Sequence, residues 1–184
     1  MQKTVLTFGL IAGGVLSLMM AATLPFQDAI GDKGEIIGYT SMVLSLLLVF
    51  FGIRSYRENV GNGEISFGKA FLVGILITAI ASACYVIAWE IIYFNFLTDF
   101  FDKYASHLIE KARASGATQQ AIDAQLQEMK NMRVWYNNPL FNAAITFTEP
   151  FPVGLIVTLI SAAILRKKKS AADNLGSATA VQVG

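Results

Sequence analysis

Four apolar stretches constrain this chain more than anything else in it: Val5–Leu24, Ile36–Ile53, Ala70–Ile92 and Leu140–Leu165. A helix needs roughly 20 residues to cross a hydrocarbon core about 30 Å thick. Each stretch reaches about that length. The pattern predicts an all-α integral membrane protein with four transmembrane helices. It also makes the bilayer the solvent, and so marks which polar residues are out of place.

Composition agrees with that solvent. Of 184 residues, 54% are hydrophobic and 15% charged, against about 25% charged in soluble domains. Mean hydropathy is +0.53. The one cysteine, Cys84, lies in the third stretch and can form no internal disulfide. No cofactor motif, metal-ligand cluster, nucleophile–base pair or nucleic-acid footprint is visible, which points away from an enzyme. Residues 1–169 read as one four-helix domain. The small, polar segment 170–184 reads as a disordered cytoplasmic tail.

The first stretch superficially resembles a secretory signal, with Lys3 ahead of it and Ala21-Ala22 near its end. It exceeds the roughly 7–15 residues of a signal core, so it is expected to remain as a span. Orientation follows from the basic residues. With the N-terminus inside, the inner segments hold eight: Lys3, Arg54, Arg57, Lys69 and Arg166 through Lys169. The short loop Pro25–Glu35 holds only Lys33, beside Asp28, Asp32 and Glu35. The longer segment from Thr98 to Asn138 carries balanced charge and weighs less in this count. Both termini are therefore expected to be cytoplasmic.

Gly9 and Gly13 stand four residues apart in the first span, with Ser17 following at the same interval. Such a small-residue face lets another helix approach closely, either in a dimer or inside the bundle. The inner loop, Arg54 to Lys69, contains the turn signal Gly61-Asn62-Gly63. It lacks the Gly-Lys-Ser/Thr ending of a nucleotide-binding loop and reads as a connector, with Ser66 capping the third span. Between spans three and four, residues 98–134 read as an outer helical hairpin. One stripe is Phe100, Tyr104, Leu108 and Ala112; the other is Ile122, Leu126, Met129 and Arg133. Ser115-Gly116-Ala117 breaks them, and Thr118 is placed to cap the second helix. The hairpin is either a partner-binding arm or a cover for the bundle. His107, the sole histidine, lies on it and is expected to be a solvated surface residue. Trp89, Tyr93, Phe94 and Phe96, with Trp135 and Tyr136, mark the outer headgroup level.

Glu90 and Glu149 are the acids inside apolar stretches. An ionised carboxylate at the bilayer centre costs about 2.5–3.5 kcal/mol on insertion scales. Glu90 lies roughly 31 Å along a helix from Lys69, at the outer interface, whereas Glu149 lies roughly 25 Å from Arg166 and still inside. Glu149 also sits in Thr146-Phe147-Thr148-Glu149-Pro150-Phe151-Pro152. Pro150 and Pro152 cannot donate to the carbonyls of Thr146 and Thr148. Thr146, Thr148, Glu149 and Glu90 thus form a candidate ion or proton site, the chemistry of broken membrane helices. The alternative is structural: a neutral carboxyl bonded to a neighbouring span or to the Thr146 carbonyl.

The stretch Gly61-Asn62-Gly63-Glu64-Ile65-Ser66-Phe67-Gly68-Lys69-Ala70-Phe71, with Gly74 after it, resembles one group of small bacterial membrane proteins. So do the helical insert after span three and the closing Gly154 to Ala162 with its basic stop. From its first span to Lys169, the chain resembles the domain of unknown function 4199 family. That resemblance implies a four-span protein of a Gram-negative inner membrane and carries over no catalytic or binding residues. The expected partners are the lipid bilayer and a second copy or another membrane protein. An accessory or scaffold role is the leading expectation, and a small proton- or cation-coupled carrier centred on Glu149 is the rival.

Overall fold

The computed structural model describes residues 1–26, 30, 33–97 and 99–167. The expected tail, with Lys168 and Lys169, and Asp28, Asp32 and Thr98 all lie outside the described residues. Among the described residues the α-helices are α1 (Gln2–Thr23), α2 (Gly34–Leu46), α3 (Leu48–Asn59), α4 (Phe67–Phe96), α5 (Phe100–Ala114), α6 (Gln119–Tyr136), α7 (Pro139–Phe147) and α8 (Pro150–Leu165). Four segments are long and apolar enough to cross a membrane: Gln2–Phe26, Ile36–Asn59, Phe67–Phe96 and Pro139–Leu165. The helices overrun the apolar stretches because helical hydrogen bonding continues into polar flanks. Ser66, for instance, caps α4 by accepting from the Lys69 N–H at 3.3 Å.

The second and fourth segments are each interrupted. At Leu47 the ladder tightens, with the Phe50 N–H donating to the Leu47 carbonyl at 3.0 Å. No proline or glycine marks that position. In the fourth segment, Thr148 and Glu149 separate α7 from α8, and Pro150 opens α8, where its missing N–H costs nothing.

Contacts divide the chain into two compact units, residues up to Cys84 with those from Pro150 on, and Tyr85–Glu149. The first holds α1, α2, α3, the opening half of α4, and α8. Its interior is made by close approach. A Cβ on Gly9 would meet Ile80 at 2.8 Å, and one on Gly13 would meet Cys84 at 2.6 Å. The two contacts advance together, so α1 runs parallel to α4. Gly74 faces Thr158 and Gly154 faces Thr78, so α8 runs antiparallel to α4. Leu46, Val49, Ile53, Val73 and Ile77 fill the core, with the hydroxyls of Ser45, Thr78, Ser82 and Thr158 buried among them. Many other large apolar side chains face outward, among them Leu10, Leu18, Phe51, Ile160 and Ile164.

In the second unit, α5 and α6 pack along a narrow seam. Phe101, Ala112 and Ile122 are buried, and Asp102 pairs with Arg133 at 2.8 Å. Thr118 caps α6, accepting from the Ala121 N–H at 3.3 Å, and Gly116 turns the chain with φ of 78°. The inward residue at the start of α5 is Phe101, not Phe100, and Tyr104 is exposed. Aromatic rings close the unit, with Tyr93 and Tyr136 centroids 5.2 Å apart and Phe101 and Tyr136 at 5.4 Å.

Candidate functional site

The break in the fourth segment decides where its carboxylate goes. After Phe147 the chain tightens: the Thr148 N–H donates to the Ile145 carbonyl at 2.9 Å, and the Glu149 N–H to the Thr146 carbonyl at 3.3 Å. The Thr146 carbonyl, expected to be left free by Pro150, is therefore taken up by the residue before the proline. A shorter-range bond replaces the one proline removes. The Thr148 hydroxyl turns back onto the Ile145 carbonyl at 2.6 Å and is exposed.

The Glu149 carboxylate accepts a hydrogen bond from the Tyr85 hydroxyl at 2.9 Å. Its partner is thus a phenol of α4 rather than the Thr146 carbonyl. Glu90 lies five residues further along α4, half-buried, with one carboxylate oxygen enclosed and without a hydrogen-bond partner. No direct hydrogen bond joins the two carboxylates.

Beside them is a buried polar cluster. Asn142 is fully buried, and Thr146 is 1% exposed. The Trp89 indole N–H donates to the Tyr136 hydroxyl at 3.1 Å. The Thr146 hydroxyl donates to the Asn142 amide oxygen at 3.2 Å. The Asn142 amide nitrogen then donates to the Tyr136 carbonyl at 3.2 Å. Burial pushes the Tyr136 phenol above its ordinary range; the polar side chains of Thr146 and Trp89 oppose this, and nearby Glu149 and Glu90 add to it. Asn138 sets the start of α7, its side-chain oxygen accepting from the Leu140 N–H at 3.0 Å, and so aims Asn142 and Thr146 inward.

Of the residues singled out from sequence, Thr146 and Glu149 enter this polar region, Glu90 borders it, and Thr148 points away. Gly9 and Gly13 lie in the other unit against α4, so the glycine face of α1 is occupied within the chain. Tyr85 and Asn142 were not anticipated. An amide in an apolar stretch was a legible signal for Asn142; nothing local distinguished Tyr85 from the other aromatics of its span. Among the described residues no group of three or more His, Cys, Asp or Glu could hold a metal ion. His107 is exposed.

A family model described as Protein of unknown function (DUF4199) matches residues 7–167. No curated protein and no solved structure matches the chain.

Proposed function

We propose that this chain, which belongs to the family of unknown function DUF4199, is a multi-pass bacterial inner-membrane protein that acts by association. It serves as a non-enzymatic accessory or scaffold subunit, with both termini cytoplasmic and α5–α6 as an extracytoplasmic hairpin. Membrane residence is supported by the apolar outer surface of the first unit, where large side chains such as Leu18, Phe51 and Ile164 face outward, and by the glycines and hydroxyls at its helix contacts. The basic residues Arg54, Arg57, Lys69, Arg166 and Lys167 support the orientation.

The observation that carries the association reading is the α5–α6 pair itself. It is a sizeable polar element held in a defined shape by Asp102–Arg133 and a short apolar seam. Its remaining faces expose Lys103, Glu110, Lys111, Arg113, Asp123, Glu128 and Lys130. Mixed charge on a shaped arm suits recognition of a polar partner surface better than burial. The glycine face of α1 has no part in this, being packed on α4. Crosslinking followed by purification in mild detergent tests the reading: a second copy or a defined partner is expected, lost when residues 99–137 are replaced by a flexible linker. A strictly monomeric protein that recovers no partner ends it. Cysteine labelling at Ser115 from outside, and at Ser177 only after permeabilisation, checks the orientation.

The carrier reading keeps one observation of its own, the Tyr85–Glu149 bond beside a Glu90 oxygen with no partner. On that reading Glu149 binds a proton or cation and Glu90 forms the outer mouth. Proteoliposomes in which Glu149→Gln leaves ion flux unaltered would exclude it.

A further inference from the structure

The loop between α3 and α4 is held far more tightly than a connector needs to be. Asn62 and Gly63 have φ of 50° and 83°, and a Cβ on Gly61 would collide with the carbonyls of Glu64 and Arg57. Ile65 and Lys167 then form an antiparallel bridge, bonded in both directions at 3.0 and 2.9 Å. This pins the loop to the chain leaving α8. Between them is a cavity of about 460 Å³, within the range of about 300–1,000 Å³ usual for small-ligand sites.

The cavity's chemistry is specific. Buried Tyr56 and Ile65 line it, and Lys69 and Lys167 reach it from different elements. Neither lysine is ion-paired with a described residue. Ser66 also lines it; its hydroxyl oxygen already accepts from the Lys69 N–H, so its proton remains available to a ligand. Among the described residues Glu64 is the one acid on the wall. Two ammonium groups and a hydroxyl suit a phosphate, and the carboxylate suits a donor on a group attached to it. Bare phosphate offers no such donor beyond its own proton, whereas a glycerol headgroup does. Exposed Phe67 follows Ser66, and exposed Ile164 lies one turn before Lys167, so apolar surface continues from the cavity along α4 and α8.

We propose that this cavity seats the headgroup of an anionic glycerophospholipid, with its phosphate between Lys69 and Lys167 and a headgroup hydroxyl on Glu64. The assignment rests on the membrane reading above, which places this end of the first unit at the level of the lipid headgroups.

Native mass spectrometry of the full chain in mild detergent, with phosphatidylglycerol or phosphatidylcholine added, tests it. Phosphatidylglycerol is expected to be retained over phosphatidylcholine. The Lys69→Gln/Lys167→Gln variant is expected to lose at least about fivefold of that retention, and Lys69→Arg/Lys167→Arg to keep it. Lys3→Gln, which removes a charge outside the cavity lining, is expected to change nothing. Equal loss in Lys3→Gln would mean general attraction to positive charge and overturn the proposal. So would unchanged retention in the double glutamine variant, or loss of the lipid to millimolar inorganic phosphate, which would assign the site to free phosphate. Carbonate extraction of membranes separates the two readings. A chain that stays in the pellet yet shows no lysine dependence loses only the lipid site, whereas a chain that is stripped off loses the membrane reading.

Discussion

The two units solve the problem of buried polarity in different ways. In the first, the interior polar atoms are hydroxyls. Ser45 bonds its own helix at the Ser41 carbonyl, 2.8 Å away, while Thr78 meets Thr158 at 3.2 Å across the α4–α8 contact. The Ser82 hydroxyl is enclosed with no hydrogen-bond partner among the described residues. A hydroxyl is small and can be satisfied within its helix, so shape governs this unit and glycines set the distances. In the second, the most demanding buried group is an amide. Asn142 has two donors and two acceptor sites: Thr146, one turn along the same helix, donates to its oxygen, but its nitrogen must reach the Tyr136 carbonyl at the end of the preceding helix. Close packing specifies one unit; directional bonds specify the other.

Substitutions can break that contrast. Asn142→Leu should have the largest effect, leaving the Tyr136 carbonyl and the Thr146 hydroxyl without their partner at about 1–3 kcal/mol each. Thr78→Val, in the other unit, should cost about 0.5–1.5 kcal/mol. Unfolding by SDS titration in mixed micelles compares them, and equal costs would erase the distinction.

Gly154→Ala comes next. Its Cβ would run into Thr78, and overpacking of this kind costs about 1–3 kcal/mol. A Cβ on Gly14 would have nothing within 4 Å, so Gly14→Ala should be neutral or stabilising by up to about 1 kcal/mol. The same titration reads both, and a Gly154→Ala as benign as Gly14→Ala would mean that close packing does not govern the first unit.

Tyr85→Phe should cost about 0.5–1.5 kcal/mol by removing its hydrogen bond to Glu149. Infrared spectroscopy of the carboxyl region should register the same change, and identical spectra would place Glu149 elsewhere. Arg133→Gln should cost less, about 0.2–1 kcal/mol, because its pair with Asp102 is exposed. That loss should shrink further in high salt.

The smallest expected effect is at Asp99. A hydrogen bond and the charge of Lys103 hold its carboxyl below the ordinary aspartate range. A lowered folded-state value means that its slight stabilisation is present above the unfolded-state value, about 3.9, and fades as pH falls through the folded one. An NMR titration should show Asp99 protonating at lower pH than in Lys103→Gln.

Much of the second unit's helix placement was legible in advance. Thr118 and the Gly116 break stand where the amphipathic stripes predicted. The stripe of α5 holds at Ala112 but is off by one at its start, because Phe100 and Phe101 are adjacent and equally apolar, and packing against Tyr136 selects Phe101. The site was less legible. Glu149 stood out as an acid beside two prolines, yet its bond to Tyr85 spans 64 positions. The Thr146 carbonyl looked free because counting hydrogen bonds at proline assumes an otherwise regular helix, and the chain tightens there instead.

The sequence alone determined the four apolar helices, the proline break and the caps at Ser66 and Thr118. Each depends on chemistry within a few residues: hydrogen bonding along a helix, a missing N–H, the length of an apolar run. Only the tertiary structure decided which face of α1 the glycines serve, which phenol meets Glu149, and that Lys167 closes a cavity with the loop at Ile65. Those outcomes join positions tens of residues apart. They are selected by how side-chain volumes and hydrogen-bond directions fit when helices meet, which no local pattern encodes.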